Sequence, residues 1–82
     1  MINRDIFEDV MSKLTYCHYI SDLRPMVELK NTFEMKKVIE QISIDDYSVK
    51  QWNEFYNYLF MSKEVFETAK EARQKLLEEL GR

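Results

Sequence analysis

The segment from Val49 to Phe60, VKQWNEFYNYLF, constrains the fold of this chain more than any other stretch. It contains the single Trp of the sequence, two of the five Phe and two of the five Tyr. At about 100° per residue its apolar positions share one wide face of a helix, with amide and charged side chains opposite. Each large ring removes about 150–250 Å² from water when it is buried. The pattern therefore predicts an amphipathic helix packed through Val49, Trp52, Phe55, Tyr56, Leu59 and Phe60.

The rest of the chain also favours helices, because its 82 residues contain one Gly and one Pro. Sheets depend on tight turns in which these residues are enriched. We expect one all-α domain over residues 1–82, a compact bundle of four helices. Residues 22–30 are expected to form either a turn or a short extra helix before the second main helix.

Capping residues and apolar periodicity place the first half of the bundle. Asn3 is expected to cap a first helix that reaches about Tyr19. Ser21 can cap a short helix, because Pro25 is tolerated in a first turn. Asn31 begins a pattern typical of a capping box and predicts a helix over about residues 32–42.

The second half contains the aromatic helix and a last helix. Ser48 is expected to cap the aromatic helix, which runs to about Met61. Ser62 is then expected to cap the last helix immediately, with Val65 and the following Phe on its apolar face. Gly81 suits the position after its end.

Charge and composition favour a solvated surface. The net charge of −3 comes from twelve basic and fifteen acidic residues, and no block of like charge exceeds two residues. Such scattering is not typical of a surface that binds phosphate or anionic lipid. Cys17 is the only cysteine, which fits a reducing compartment. No apolar run approaches the roughly 18 residues of a membrane span, and the N-terminus lacks a signal-peptide pattern. We expect a cytoplasmic protein with no membrane contact.

Reactive side chains come together only at Cys17 and His18. Adjacent helical residues point about 100° apart, so this pair is poorly placed for nucleophilic catalysis, and two ligands cannot form a structural zinc site. The pairs Asp45-Asp46 and Glu78-Glu79 lie at expected helix ends, where solvation explains them. We therefore expect no enzyme activity and no catalytic, cofactor or metal site.

A small helix-turn-helix regulator that binds nucleic acid is the alternative function. The aromatic helix, a turn at Phe60-Met61 and a helix beginning at Ser62 would form the motif. The exposed positions of the second helix would include three glutamates, which repel phosphate. Nucleic-acid binding is therefore the less favoured prediction.

Several aromatic and Met side chains fall outside the main apolar stripes. Tyr58 and Met61 lie on the polar side of the aromatic helix, and Tyr16 and Tyr19 lie outside the apolar face of the first helix. Tyr, Phe and Met are enriched in the cores of protein interfaces. We expect a protein partner, either a second copy in a homodimer or a different protein, against the alternative of a monomer that folds this surface in.

Arg73 falls within the apolar face of the last helix. The favoured interpretation is that its stem packs while its guanidinium reaches water or an acidic side chain of another helix. The second interpretation is a partner contact, because Arg is enriched at interface hot spots. The predicted partner-binding residues are therefore Tyr16, Tyr19, Tyr58, Met61 and Arg73.

Overall fold

The computed structural model describes residues 5–14, 19, 23–29 and 32–81 of the chain. Within these residues it contains five α-helices and no β-strand. They are α1 Ile6–Lys13, α2 Leu23–Glu28, α3 Phe33–Gln41, α4 Val49–Phe60 and α5 Ala69–Leu80, with a 3₁₀ turn at Ile44–Asp46. The predicted all-α bundle of four main helices with a short extra helix before the second is confirmed. No helix in the described part of the chain is long and apolar enough to cross a membrane.

Helix α4 lies at the centre of the bundle, in contact with α1, α2 and α5. Its aromatic face is the predicted one, and Trp52 and Phe55 are fully buried. Ser48 caps it as predicted, because its hydroxyl accepts a hydrogen bond from the Gln51 N–H at 3.2 Å. The core draws on all five helices and on segments between them: Ile6, Val10, Leu14, Leu23, Met35, Val38, Ile39, Ile42, Tyr47, Trp52, Phe55, Tyr56, Leu59, Phe66, Ala72, Leu76 and Leu80.

Helix α1 is shorter than the sequence pattern indicates. Asp5 is its N-cap, with Oδ1 accepting from the Phe7 N–H at 2.8 Å. The prediction that the helix continues to Tyr19 is wrong, because Leu14 leaves it in an extended conformation (φ −93°, ψ 134°) and is buried. Tyr19 lies in a bend. The predicted cap Asn3 lies outside the described residues.

The next two helices follow the prediction closely. Residues 23–28 form a short helix, and α3 begins and ends within one residue of the predicted range. The predicted caps Ser21 and Asn31 lie outside the described residues. Thr32 occupies the N-cap of α3 without a capping bond, and its hydroxyl instead donates to the Leu80 carbonyl at 2.7 Å. This bond joins the start of α3 to the end of α5.

The largest correction concerns the start of the last helix. Helix α5 begins at Ala69, with Thr68 as its N-cap, and the prediction that Ser62 opens it is wrong. Since α4 ends at Phe60, eight residues separate the two helices. A helix-turn-helix needs a turn of about three or four residues. The short turn on which the nucleic-acid alternative depends is therefore not formed between α4 and α5.

Gly81 follows α5 as predicted, but in a right-handed conformation (φ −84°, ψ −4°). A Cβ at this position would lie 3.3 Å from the Leu77 carbonyl oxygen and 3.4 Å from the Lys36 Nζ. A side chain here would therefore make a tight contact with the Leu77 carbonyl, whereas the backbone conformation itself is open to any residue.

Candidate functional site

Five large apolar side chains are mainly exposed among the described residues. Two of them lie between α4 and α5, in a stretch (residues 61–68) that we call the α4–α5 connection. The exposed fractions are 71% for Tyr19, 79% for Leu29, 73% for Phe33, 71% for Met61 and 82% for Val65. Because two Asn side chains of α4 also form hydrogen bonds to its main chain, the connection is the candidate interaction site.

The amide of Asn57 binds the main chain of the α4–α5 connection. Its Nδ2 donates to the Glu64 carbonyl at 2.9 Å, and its Oδ1 accepts from the Glu64 N–H at 3.0 Å. The same oxygen accepts from the Ser62 hydroxyl at 2.6 Å. One amide side chain thus satisfies both main-chain groups of a single residue, as a neighbouring strand would do.

Asn53 repeats this arrangement one helical turn earlier. Its Nδ2 donates to the Phe66 carbonyl at 3.2 Å, and its Oδ1 accepts from the Phe66 N–H at 2.7 Å. Four residues of a helix rise about 6 Å, and two residues of an extended chain span about 6.5–7 Å. The spacing of the two Asn side chains therefore matches alternate residues of an extended segment, which we define as residues 62–66.

The main chain of Val65 lies between two residues that are bound to α4, and an extended backbone directs it away from that helix. In an extended chain the N–H and C=O of one residue point to one side, and those of the next residue point to the other. Glu64 and Phe66 both face α4, so Val65 between them faces outward. Among the described residues none is hydrogen-bonded to the main chain of Val65. The segment is thus held by α4 along one edge, and on its other edge, which we call the open edge, Val65 has no hydrogen-bond partner among the described residues.

The importance of Asn53 and Asn57 was not predicted, because both were assigned to the polar, solvated face of the aromatic helix. A pair of Asn residues at positions i and i+4 is the feature in the sequence that could have indicated it. Two amides on one face of a helix can bind alternate residues of an extended chain, whereas charged side chains cannot both donate and accept. Gln51 behaves similarly, with its Oε1 accepting from the Ile6 N–H at 2.9 Å.

Met61 ends α4 in the left-handed conformation (φ 52°, ψ 43°), which is unfavourable for a residue with a Cβ. Its N–H donates to the Asn57 carbonyl, as in a common helix-ending motif that usually has Gly. The side chain is mainly exposed, so this strain is not explained by burial in the core. The position is consistent with the predicted role in partner binding, which remains a prediction.

Substituting Gly for Met61 is expected to raise the free energy of unfolding by about 0.5–1 kcal/mol, because Gly adopts the left-handed region without steric cost. Thermal unfolding followed by circular dichroism measures the change. Met61→Ala is the matched control, since it removes the same exposed side chain and keeps the Cβ. Equal melting temperatures for the Gly and Ala variants would contradict the proposed source of strain.

Tyr58 is half-buried where α1, α2 and α4 meet. Its ring packs edge-to-face on Phe7, with centroids 5.6 Å apart. The Arg24 guanidinium carbon lies 4.6 Å from its centroid, and Arg24 Nε donates to the Tyr58 carbonyl at 2.9 Å. These contacts give Tyr58 a structural role in addition to the predicted partner contact. Tyr19 is exposed, and Tyr16 lies outside the described residues.

Arg73 joins α5 to the end of α3. Its Nε donates to the Ile39 carbonyl at 3.2 Å, and its Nη2 donates to the Glu40 carbonyl at 3.0 Å. Both carbonyls belong to the last turn of α3, where main-chain acceptors lack helical partners and the helix dipole favours a cation. The guanidinium therefore reaches another helix, but it bonds main-chain carbonyls and not the water or acidic side chain that the favoured interpretation expects. The partner contact stays a prediction.

Replacing Arg73 with Ala is expected to lower the free energy of unfolding by about 1–2 kcal/mol, because two charge-assisted hydrogen bonds are lost at a half-buried site. Arg73→Lys is expected to recover less than half of this loss, since an ammonium group cannot reproduce the planar pair of donors. Denaturant unfolding measures both values. Full recovery by Lys would show that charge alone, and not the two-donor geometry, is important.

A cleft of about 500 Å³ lies beside Arg73, between α3, the 3₁₀ turn and α5. Its lining combines three cationic side chains with one carboxylate and two aliphatic side chains: Lys36, Ile44, Lys70, Arg73, Gln74, Leu77, Glu78 and Gly81. The volume is within the range of small-molecule sites. Arg73 is nevertheless engaged with α3, so the cleft is better explained as the seam between two antiparallel helices.

The described residues contain no group of three or more His, Cys, Asp and Glu side chains arranged to hold a metal ion. Cys17 and His18 lie outside those residues. Comparison of the chain with models of protein families, with curated proteins and with solved structures found no match.

Proposed function

We propose that this chain is a non-catalytic helical protein–protein interaction module of the cytoplasm, which acts as an adaptor, inhibitor or accessory factor and which self-associates. The observation that carries the proposal is the α4–α5 connection. There, exposed Met61 and Val65 side chains accompany an open main-chain edge in the middle of the segment. Apolar side chains and unpaired main-chain groups are both features that a partner would cover.

Two side chains of α4 support a role for the α4–α5 connection in partner binding. Asn53 and Asn57 could have been solvated, but instead they fix a stretch that lacks helical structure. Holding the segment in one conformation reduces the entropy lost when a partner binds. A module that binds protein through the segment would benefit from this pre-organisation.

Absolute mass in solution tests the proposal, measured by light scattering behind a sizing column over a dilution series. The monomer has a mass of 10.0 kDa. We expect the mass to rise toward twice this value as the protein concentration increases, because the dimer is favoured by mass action. A mass equal to that of the monomer at every concentration would contradict self-association.

A further inference from the structure

We propose that the open edge of the extended segment binds a second copy of this chain, through antiparallel pairing of residues 63–67 centred on Val65. The inference rests on the proposed self-association and specifies its interface. Addition of a strand to an open edge is a common mode of protein recognition, in which main-chain hydrogen bonds supply affinity. The sequence of the segment identifies the occupant as a second copy.

The direction of the main chain defines which residues pair. Val65 faces outward, and by the same alternation Lys63 is the next outward-facing residue before it; Glu67 follows the extended segment directly, in the bend that leads to α5. None of these three has a hydrogen bond or ion pair to another described residue. In an antiparallel pair about a two-fold axis, Val65 would exchange both main-chain hydrogen bonds with Val65 of the second copy.

The charges of Lys63 and Glu67 favour this register over registers that are shifted along the strand. With Val65 on the axis, Lys63 of each copy lies opposite Glu67 of the other, so two opposite-charge pairs flank the central contact. Shifting the pairing by two positions instead places Lys63 opposite Val65 and leaves both charges unmatched. Cross-strand pairs of opposite charge stabilise a sheet, and like charges directly opposite destabilise it.

The side chains of the segment fit the same arrangement. Alternate side chains of a strand lie on opposite faces. Phe66 turns to the core, where it packs edge-to-face on Tyr56 with centroids 5.1 Å apart. Val65 therefore lies on the outer face, 82% exposed, and would contact its counterpart across the axis. Pairing covers the exposed Val65 without disturbing the core.

Exchange of the two charges is the direct test, by light scattering at a concentration where the wild type is mainly dimeric. Lys63→Glu and Glu67→Lys are each expected to give a monomer, because each variant places like charges opposite one another. The double variant restores the opposite-charge pairs and is expected to recover the dimer. An equimolar mixture of the two single variants is also expected to dimerise, since each substituted side chain then faces one of opposite charge. Lys70→Glu, an exposed lysine on α5, is the control for net charge.

Val65→Pro provides a second line of evidence. Proline is accepted in an edge strand where the N–H points to solvent, so the variant is expected to melt like the wild type and to remain monomeric. If Val65→Pro does not fold, the Lys63→Glu and Glu67→Lys variants test the pairing by themselves.

The possible results distinguish failure of the pairing at Val65 from failure of self-association. A wild type that dimerises while Lys63→Glu, Glu67→Lys and a folded Val65→Pro remain dimeric would overturn the pairing at Val65 and leave self-association standing. A wild type that is monomeric at every concentration would overturn both. Loss of the dimer in Lys70→Glu as well would show a general charge effect and would also overturn the proposed register.

Discussion

Replacing Trp52 with Ala is expected to lower the free energy of unfolding by about 3–5 kcal/mol, the range observed when a large buried aromatic is truncated. Trp52 is fully buried at the centre of α4 and packs edge-to-face on Tyr47, with centroids 5.9 Å apart. A domain of 82 residues has a total stability of about 4–12 kcal/mol at roughly 0.05–0.15 kcal/mol per residue. The variant should therefore lose a large part of its stability.

Trp52→Phe separates packing from hydrogen bonding at the same position. The indole Nε1 donates to the Ile44 carbonyl at 3.2 Å, which ties the 3₁₀ turn to α4. Phe retains a buried ring but leaves that carbonyl without its donor, so we expect a loss of about 1–2 kcal/mol. Urea unfolding of the two variants measures both effects. A loss for Trp52→Ala below about 1 kcal/mol would contradict the central position of α4 in the core.

Replacing Asn53 with Ala is expected to lower the free energy of unfolding by about 2–3 kcal/mol, which corresponds to about 10–20 °C in the melting temperature of a domain this size. The amide makes two hydrogen bonds to the main chain of Phe66, a residue that is only 8% exposed. Water cannot easily replace the lost partners there. Asn57→Ala should cost less, about 1 kcal/mol, because Glu64 is exposed and water can hydrate its main chain.

Asn53→Asp tests the same contact without changing the shape of the side chain. The carboxylate still accepts from the Phe66 N–H, but it loses the donor and places an oxygen beside the Phe66 carbonyl. We expect Asp to be at least as destabilising as Ala. Thermal unfolding by circular dichroism gives the comparison, and an Asp variant that melts with the wild type would show that the paired hydrogen bonds contribute little.

Helix α4 could be predicted from sequence because the features that favour it lie within the helix and at its N-cap. A Ser cap, a wide aromatic face and no interrupting Gly or Pro all favour the same helix, and the burial of Trp52 and Phe55 follows from periodicity. The capping pattern that begins at Asn31 similarly separated α2 from α3. For Arg73, water or an acidic side chain was expected as the partner, and its two acceptor carbonyls could not be identified before α3 and α5 were placed together.

The extended segment could not be predicted, because its conformation depends on contacts outside itself. Residues 62–66 have a good N-cap in Ser62 and an apolar pair in Val65 and Phe66, which locally favour a helix. The amides of Asn53 and Asn57, together with the left-handed Met61, favour the extended form instead. Tertiary contacts thus override local preference in this segment. For the same reason the sequence did not indicate the α4–α5 connection as a site. Met61 is the exception, because it was among the predicted partner-binding residues.

Amide hydrogen exchange at residues 64, 65 and 66, followed by nuclear magnetic resonance, tests the central claim most directly. In dilute protein we expect the Glu64 and Phe66 amides, which donate to Asn side chains, to exchange slowly and the Val65 amide to exchange fast. If the proposed dimer forms as the protein concentration is raised, the Val65 amide should slow selectively. Equal exchange at the three positions in dilute protein would contradict the extended segment, and a Val65 amide whose rate is independent of concentration would contradict its pairing.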